Sequence, residues 1–165
     1  ARTINDNMPH HVTKITKDAL ASCGKRIQDS RIAVLGLAFK HKTGDMRFSP
    51  SIPLIKELQE HGGSVLSCDP WVNSDKAKAL LDSPVYKDPR EIIGKADAVI
   101  IMVGHPEFLL SPEEWLKHVG SGTPIVDCRY ALNQSSMIKQ GLLYFSIGRG
   151  RRQASEWEVK LCKEF

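Results

Sequence analysis

The sequence lacks the features that define several common classes of protein. It has no apolar run approaching the roughly 20 residues of a membrane-spanning helix, and its polar first residues show no signal-peptide pattern. It also has no basic patch with interleaved aromatic side chains, which a nucleic-acid-binding surface requires. We therefore expect no membrane partner and no nucleic-acid partner.

Cysteine is sparse as well. The four cysteines lie far apart, without the Cys-x-x-Cys spacing typical of a zinc site: Cys23, Cys68, Cys128 and Cys162. Cys68 and Cys128 lie at the ends of apolar segments, where we expect them to pack as small hydrophobic residues. This pattern predicts no metal site and a reducing, cytoplasmic setting.

The residues that are present fit one soluble globular domain. The chain has 165 residues, 41% of them hydrophobic and 25% charged, which is enough for one ordinary core but not two. Its net charge of +4 is too small to indicate nucleic-acid binding and suits a small anionic ligand. Because the first residue is Ala1 rather than methionine, we expect the sequence to begin inside a longer protein.

Six short apolar segments alternate with helical ones. Strands are predicted at residues 32–35, 64–68, 85–86, 98–103, 123–127 and 142–147. Strands that alternate with helices are typical of right-handed crossovers and a parallel sheet. The predicted fold is therefore α/β, a Rossmann-like doubly wound parallel sheet of about six strands, preceded by an amphipathic helix.

The amphipathic helix is predicted over residues 3–23, where apolar residues recur at three- and four-residue steps. Gly24 is its expected C-cap, and Pro9 is expected to start or kink it. The apolar stripe needs a partner, which is either the rest of this domain or another chain.

Residues 31–50 have the strand, loop and helix order that opens a doubly wound domain. Ser49 is the predicted N-cap of the helix and Pro50 its first residue. The glycine-rich turn that holds the pyrophosphate of a dinucleotide is missing, because Gly36 is followed by two apolar residues and an aromatic one.

The loop in this segment is basic instead of glycine-rich. It carries four side chains that are cationic or can become so: Lys40, His41, Lys42 and Arg47. Such side chains bind an anion such as a diphosphate, and Phe39 adds a flat apolar surface beside them. A solvated basic loop explains the composition equally well, but its place at a strand end favours a binding site.

Three other polar residues follow predicted strands. Because the glycine turn is missing, we expect Asp69 to begin a turn rather than to bind ribose hydroxyls. A local hydrogen bond is favoured over an acid–base role for His105, since no nucleophile or second acid lies beside it. The planar guanidinium of Arg129 suits phosphate or sugar oxygens, and a salt bridge to Asp127 is an alternative.

Residues 36–50 also form a specific motif, Gly-Leu-Ala-Phe-Lys-x-x-Thr-x-Asp-x-Arg-x-Ser-Pro. It resembles the signature of the C-terminal, nucleotide-sugar-binding domain of the UDP-glucose/GDP-mannose dehydrogenase family. Members of that family oxidise the C6 alcohol of a nucleotide sugar to a carboxylate with two NAD molecules. Residues 1–9 resemble the end of the family's central helix, especially in UDP-N-acetylmannosamine dehydrogenases.

The resemblance implies roles for four residues. Phe39 and Lys40 would contact a UDP-sugar, and Arg129 would contact its phosphate or sugar. Arg47 would reach the cofactor NAD, which an amino-terminal domain absent from this sequence would mainly bind.

The resemblance also divides the chain into three regions. Residues 1–28 would end a central inter-domain and dimerisation helix, residues 29–150 would form the nucleotide-sugar-binding domain, and residues 151–165 would be a tail. The full protein would then be a homodimeric NAD-dependent nucleotide-sugar 6-dehydrogenase, with UDP-N-acetylmannosamine as a candidate substrate.

The family's catalytic motif, Gly-Gly-x-Cys-x-x-Lys-Asp, is absent from this sequence. We therefore expect no catalytic residue here, and no activity from this chain alone. The alternative function is a free-standing nucleotide or nucleotide-sugar binding module without catalysis.

Overall fold

The structure of the chain, a computed structural model, describes residues 2–147 and the side chains of residues 7–147. The tail predicted at residues 151–165 lies outside the described residues. Within residues 2–147, six strands form one sheet: β1 (Arg31–Leu35), β2 (Ser64–Cys68), β3 (Val85–Tyr86), β4 (Ala98–Ile101), β5 (Pro124–Asp127) and β6 (Leu143–Ser146).

The strands lie in the order β3-β2-β1-β4-β5-β6, and every neighbouring pair is parallel. This is the order of a doubly wound sheet: β2 and β3 are added on one side of β1, and β4, β5 and β6 are added on the other side, so the strand order reverses between β1 and β4. The predicted Rossmann-like parallel sheet of about six strands is confirmed.

In the described part of the chain, six α-helices connect and flank the strands: α1 (Arg2–Ser22), α2 (Ser51–Glu60), α3 (Ser74–Leu81), α4 (Arg90–Ile93), α5 (Pro112–Val119) and α6 (Gln134–Lys139). Side chains that prefer the N-cap position begin three of them, namely Asn73, Ser111 and Asn133. None of the helices within residues 2–147 combines the length and the apolar character needed to cross a membrane.

The core lies on both faces of the sheet. One cluster joins α1 and α2 to β1, with Leu20 and Leu58 among its buried members. The other lies between α5 and the opposite face, where Trp115 is fully buried. Because both faces are covered, every residue of β4 and β5 is buried, which explains their continuous apolar sequence.

Helix α1 packs against its own domain. It contacts α2, β4 and β5, and Val12 and Ala19 of its apolar stripe are fully buried. The prediction that Pro9 starts the helix is wrong, because α1 begins at Arg2 and continues through the proline. Pro9 is itself buried, so packing of the helix outweighs the lost backbone hydrogen bond.

Helix α2 begins one residue later than predicted. Its first residue is Ser51, although Pro50 already has helical dihedral angles. The N-cap is therefore Pro50 and not Ser49, although the Ser49 hydroxyl still accepts a hydrogen bond from the Ser51 amide at 3.2 Å. The buried Ser49 hydroxyl also donates to the Ala38 carbonyl, which ties the helix start to the preceding loop.

Candidate functional site

A cleft of about 420 Å³ opens at the carboxyl ends of β1, β4 and β5. Its lining comes from the loops after these three strands: Phe39, Lys40, His41, Val103, Gly104, Leu109, Arg129 and Ala131. Ligands of doubly wound sheets bind at this edge, where the strand order reverses. The structure therefore brings together three residues selected from the sequence, Phe39, Lys40 and Arg129.

The first wall of the cleft is the basic loop after β1. The exposed Lys40 ammonium lies 5.9 Å from the centroid of the Phe39 ring. The Phe39 amide donates to the Asp45 carbonyl at 2.7 Å, which closes residues 39–45 into a compact turn. The aromatic ring of Phe39 and the positive charge of Lys40 therefore lie side by side at the cleft. This arrangement suits an anionic ligand that also has an apolar portion.

Arg129 forms the facing wall. Its Nε donates to the Met102 carbonyl at 2.8 Å, so the end of β4 orients the guanidinium plane. Among the described residues no ion pair joins Arg129 to Asp127, and of the groups of Arg129 only the backbone amide donates to that carboxylate. The salt-bridge alternative is therefore wrong for the side chain.

Asp127 instead organises the turn that carries Arg129. Its buried carboxylate accepts hydrogen bonds from the Leu132 amide at 2.9 Å and the Tyr144 hydroxyl at 2.7 Å. Burial and then this hydrogen bond raise the pKa of Tyr144, which keeps the phenol protonated as a donor. The Asp127 carboxylate thus binds donors of the turn and of β6, and the guanidinium of Arg129 lies at the cleft.

Arg47 lies outside the cleft. Its guanidinium is 2.8 Å from the Asp45 carboxylate, and its side chain is 83% exposed. The side-chain hydrogen bond from Arg47 lowers the pKa of Asp45 to about 2. The structure does not bring Arg47 together with the other three selected residues, and its contact with NAD stays a prediction.

Asp69 has a larger structural role than the turn that the sequence predicts. That turn is present, since its Oδ1 accepts from the Trp71 amide at 2.8 Å. Its Oδ2 accepts from the Leu37 and Ala38 amides at 2.8 and 3.0 Å. Burial alone would raise the pKa of Asp69, but hydrogen bonds from His105 and from the Leu37 and Trp71 amides outweigh it and lower the pKa.

His105 is fully buried, and the prediction of a local hydrogen bond is wrong, because both of its partners come from other loops, 36 and 63 positions away along the chain. Its Nε2 lies 2.9 Å from Asp69 Oδ2, and its Nδ1 accepts from the Lys42 amide at 3.1 Å. The Trp71 ring stacks on the imidazole with 6.2 Å between centroids. Both His105 and Asp69 follow strands adjacent to β1. The sequence predicts that each follows a strand, but it does not predict that the two side chains touch.

Two cysteines lie close to this edge of the sheet. Cys68 is buried as expected, whereas Cys128 is only half-buried against the core. Burial raises the pKa of both thiols, so they stay protonated. Among the side chains of residues 7–147, no three histidine, cysteine or acidic groups lie close enough together to form a metal site.

Comparison with known proteins connects this geometry to one family. Residues 33–134 match the model of the UDP-glucose/GDP-mannose dehydrogenase family, UDP binding domain. Over 146 residues the chain is 34% identical to the UDP-glucose 6-dehydrogenase of Rhizobium meliloti (strain 1021). This similarity covers 88% of the chain and 33% of that relative.

Two solved structures of similar fold are also nucleotide-sugar dehydrogenases. The NDP-N-acetyl-D-galactosaminuronic acid dehydrogenase of Methanosarcina mazei Go1 superposes with a TM-score of 0.78 at 31% identity, covering 90% of the chain and 30% of that structure. A UDP-D-ManNAc dehydrogenase from Pyrococcus horikoshii gives 0.73 at 27% identity, with 90% and 32% covered. The chain therefore spans about a third of the length of the relatives it matches.

Proposed function

The chain belongs to the UDP-glucose/GDP-mannose dehydrogenase family, and from this we propose that it binds the UDP-sugar substrate of an NAD-dependent nucleotide-sugar 6-dehydrogenase. The observation that carries the proposal is the convergence of Phe39, Lys40 and Arg129 on one cleft inside the matched region. Two cationic side chains and an aromatic face suit a diphosphate joined to a base and a sugar.

In this proposal the domain orients the substrate and leaves the bond chemistry to the rest of the enzyme. Lys40 and Arg129 come from opposite walls of the cleft, so together they fix both the position and the direction of a diphosphate. Phe39 packs against an apolar part of the ligand. Arg47, exposed on the same loop, is proposed to meet NAD.

The proposal assigns NAD mainly to another part of the protein. In a dinucleotide-binding domain, amides of the first turn point at the pyrophosphate. Here the amides of Leu37 and Ala38 donate to the buried carboxylate of Asp69. A negative charge already occupies the place of the phosphate, which supports a ligand site farther out, at the basic loop.

The binding site is tested with Lys40→Ala and Arg129→Ala. Each substitution should weaken UDP binding by roughly 1.5–3 kcal/mol, because it removes a charge-assisted hydrogen bond to phosphate. Isothermal titration calorimetry of this chain with UDP, UDP-sugars, GDP-mannose and NAD measures the effect and the ligand preference. Lys78→Ala, in the last turn of α3, is the matched control and should bind as the unmodified chain does. Unchanged affinity in both test variants would contradict the site.

A second expected result concerns catalysis. The chain alone should produce no NADH from any UDP-sugar, because the motif that supplies the family's nucleophile is absent from its sequence. Absorbance at the nicotinamide band, with the chain at high concentration, measures this. Turnover above the protein-free rate would show that the chain carries chemistry of its own.

Several finer assignments stay predictions. They are the identity of the sugar, with UDP-N-acetylmannosamine as the candidate, dimerisation through the first helix, the division of the chain at residues 28 and 150, and a cytoplasmic setting. Titration of the different UDP-sugars addresses the first of these, and the mass of the chain in solution addresses the second.

A further inference from the structure

A buried ionisable pair joins the three central strand ends below the cleft. Asp69 follows β2 and His105 follows β4, and both side chains bind amides of the loop after β1. Both side chains are fully buried, and their nearest atoms are 2.9 Å apart. Neither side chain lines the cleft, so any effect on a ligand must pass through the loop.

The hydrogen bonds determine which nitrogen of His105 carries the proton. The Lys42 amide can only donate, so the imidazole Nδ1 must accept. The proton of the neutral ring then lies on Nε2 and is donated to Asp69 Oδ2. Each partner is satisfied in this arrangement, as buried polar groups require.

Together the two side chains hold the basic loop at two points. Asp69 binds the amides of Leu37 and Ala38, where the loop leaves β1. His105 binds the amide of Lys42, which has a left-handed backbone with φ of 57°. The ligand-facing residues of the loop, at positions 39 and 40, lie between these two points.

The surroundings of the loop leave it little freedom to move. The Trp71 ring stacks on the imidazole, and Phe108 packs edge-on against it with centroids 5.4 Å apart. A Cβ atom at Gly44 would lie 2.5 Å from the Trp71 carbonyl oxygen, so the loop backbone rests directly on that turn. The imidazole is therefore enclosed and cannot change its contacts without moving the loop.

We propose that His105, braced by Asp69, is a positioning residue that sets the loop carrying Phe39 and Lys40 for the nucleotide. The proposal rests on the proposed function, since its consequence is UDP affinity. A loop held in its binding conformation loses less conformational entropy when the ligand arrives.

Two substitutions separate the two hydrogen bonds of the imidazole. His105→Asn keeps a carbonyl oxygen near the position of Nδ1, able to accept from Lys42, and loses the donor to Asp69. His105→Gln keeps an amide donor near the position of Nε2, able to reach Asp69, and loses the acceptor for Lys42. The matched control is His61→Gln, at the exposed end of α2 just before β2 begins.

The variants are compared by calorimetry with UDP and by residue-resolved amide hydrogen exchange. His105→Gln should lower UDP affinity roughly 3- to 10-fold, the effect of one lost hydrogen bond, and should speed exchange of the Lys42 amide. His105→Asn should retain the protection of that amide and stay within about 2-fold in affinity. His61→Gln should change neither quantity.

Equal affinity loss in both His105 variants, or none in either, would overturn the positioning role. A His105 variant that fails to fold would assign the residue to stability alone and would also overturn it. If the unmodified chain does not bind UDP, the proposed function is refuted instead. The two outcomes are distinguishable, because hydrogen exchange of the Lys42 amide measures the hydrogen bond between His105 and the loop in the absence of any ligand.

Discussion

We expect Asp69→Asn to lower the free energy of unfolding at pH 7 by about 3–5 kcal/mol, the effect of breaking a buried charged network. Asparagine has the shape of aspartate, but one of its two polar ends is an NH2 group. One carboxylate oxygen faces the Leu37 and Ala38 amides and His105, and the other faces the Trp71 amide. Either orientation of the asparagine therefore sets donor against donor.

The effect should depend on pH in a defined direction. The pKa of Asp69 is lower in the folded chain than its ordinary value of 3.8. The charged carboxylate therefore stabilises the fold fully at pH values above 3.8. This contribution is lost as pH falls through the folded pKa, where the protonated aspartate resembles asparagine. The difference in stability between the unmodified chain and Asp69→Asn should therefore shrink below about pH 4.

Urea unfolding followed by circular dichroism at pH 7 and at several lower pH values measures both effects. Asp18→Asn, an exposed carboxylate on α1, is the control and should stay within about 0.5 kcal/mol of the unmodified chain. A difference for Asp69→Asn that is small at pH 7, or that grows as pH falls, would contradict the structure around this carboxylate.

Gly36→Ala should also destabilise the chain strongly, by about 2–5 kcal/mol, because two penalties add. Gly36 has a φ of 98°, a conformation that residues with a Cβ rarely adopt. A Cβ atom there would lie 2.5 Å from the Cβ of Val103 and 2.8 Å from its backbone nitrogen. The loops after β1 and β4 would have to separate, and with them two walls of the cleft.

Two other glycines separate these penalties. Gly24 has a φ of 72°, and a Cβ atom added there would meet no described atom within 4 Å, so Gly24→Ala measures the backbone penalty alone, about 1 kcal/mol. Gly122 has no positive φ, and a Cβ atom added there would lie in open space. The free energy of unfolding of Gly122→Ala should therefore stay within about 0.5 kcal/mol of that of the unmodified chain. Urea unfolding compares the three, and a Gly36→Ala effect no larger than that of Gly24→Ala would exclude the close approach to Val103.

The strands and helices are predictable because local chemistry specifies them. Helices α3 and α5 begin directly after side chains that favour the N-cap position, Asn73 and Ser111, and a proline is the first residue of α5. Strand ends are less accurate: β4 ends at Ile101, not at residue 103. The apolar sequence continues past Ile101 because Met102 and Val103 are also buried, by the loop after β1. A run of apolar residues does not show whether a residue is buried by a loop or by pairing within the sheet.

The candidate site is predictable in part. Phe39, Lys40 and Arg129 each follow a buried strand, and the carboxyl ends of parallel strands meet at one edge. Arg47 belongs to the same motif but lies on the outer side of the loop, paired with Asp45, because a loop can turn its residues in any direction.

The sequence by itself determined the parallel sheet, the family and the basic character of the loop, because each depends on residues near one another along the chain. Only the tertiary structure decided that Asp69 and His105 meet beneath that loop and bind its amides. Those residues are 36 positions apart, and hydrogen bonds between loops depend on backbone directions that no periodic pattern encodes. The strand order brings such groups to the same edge, but only the folded chain selects which of them touch.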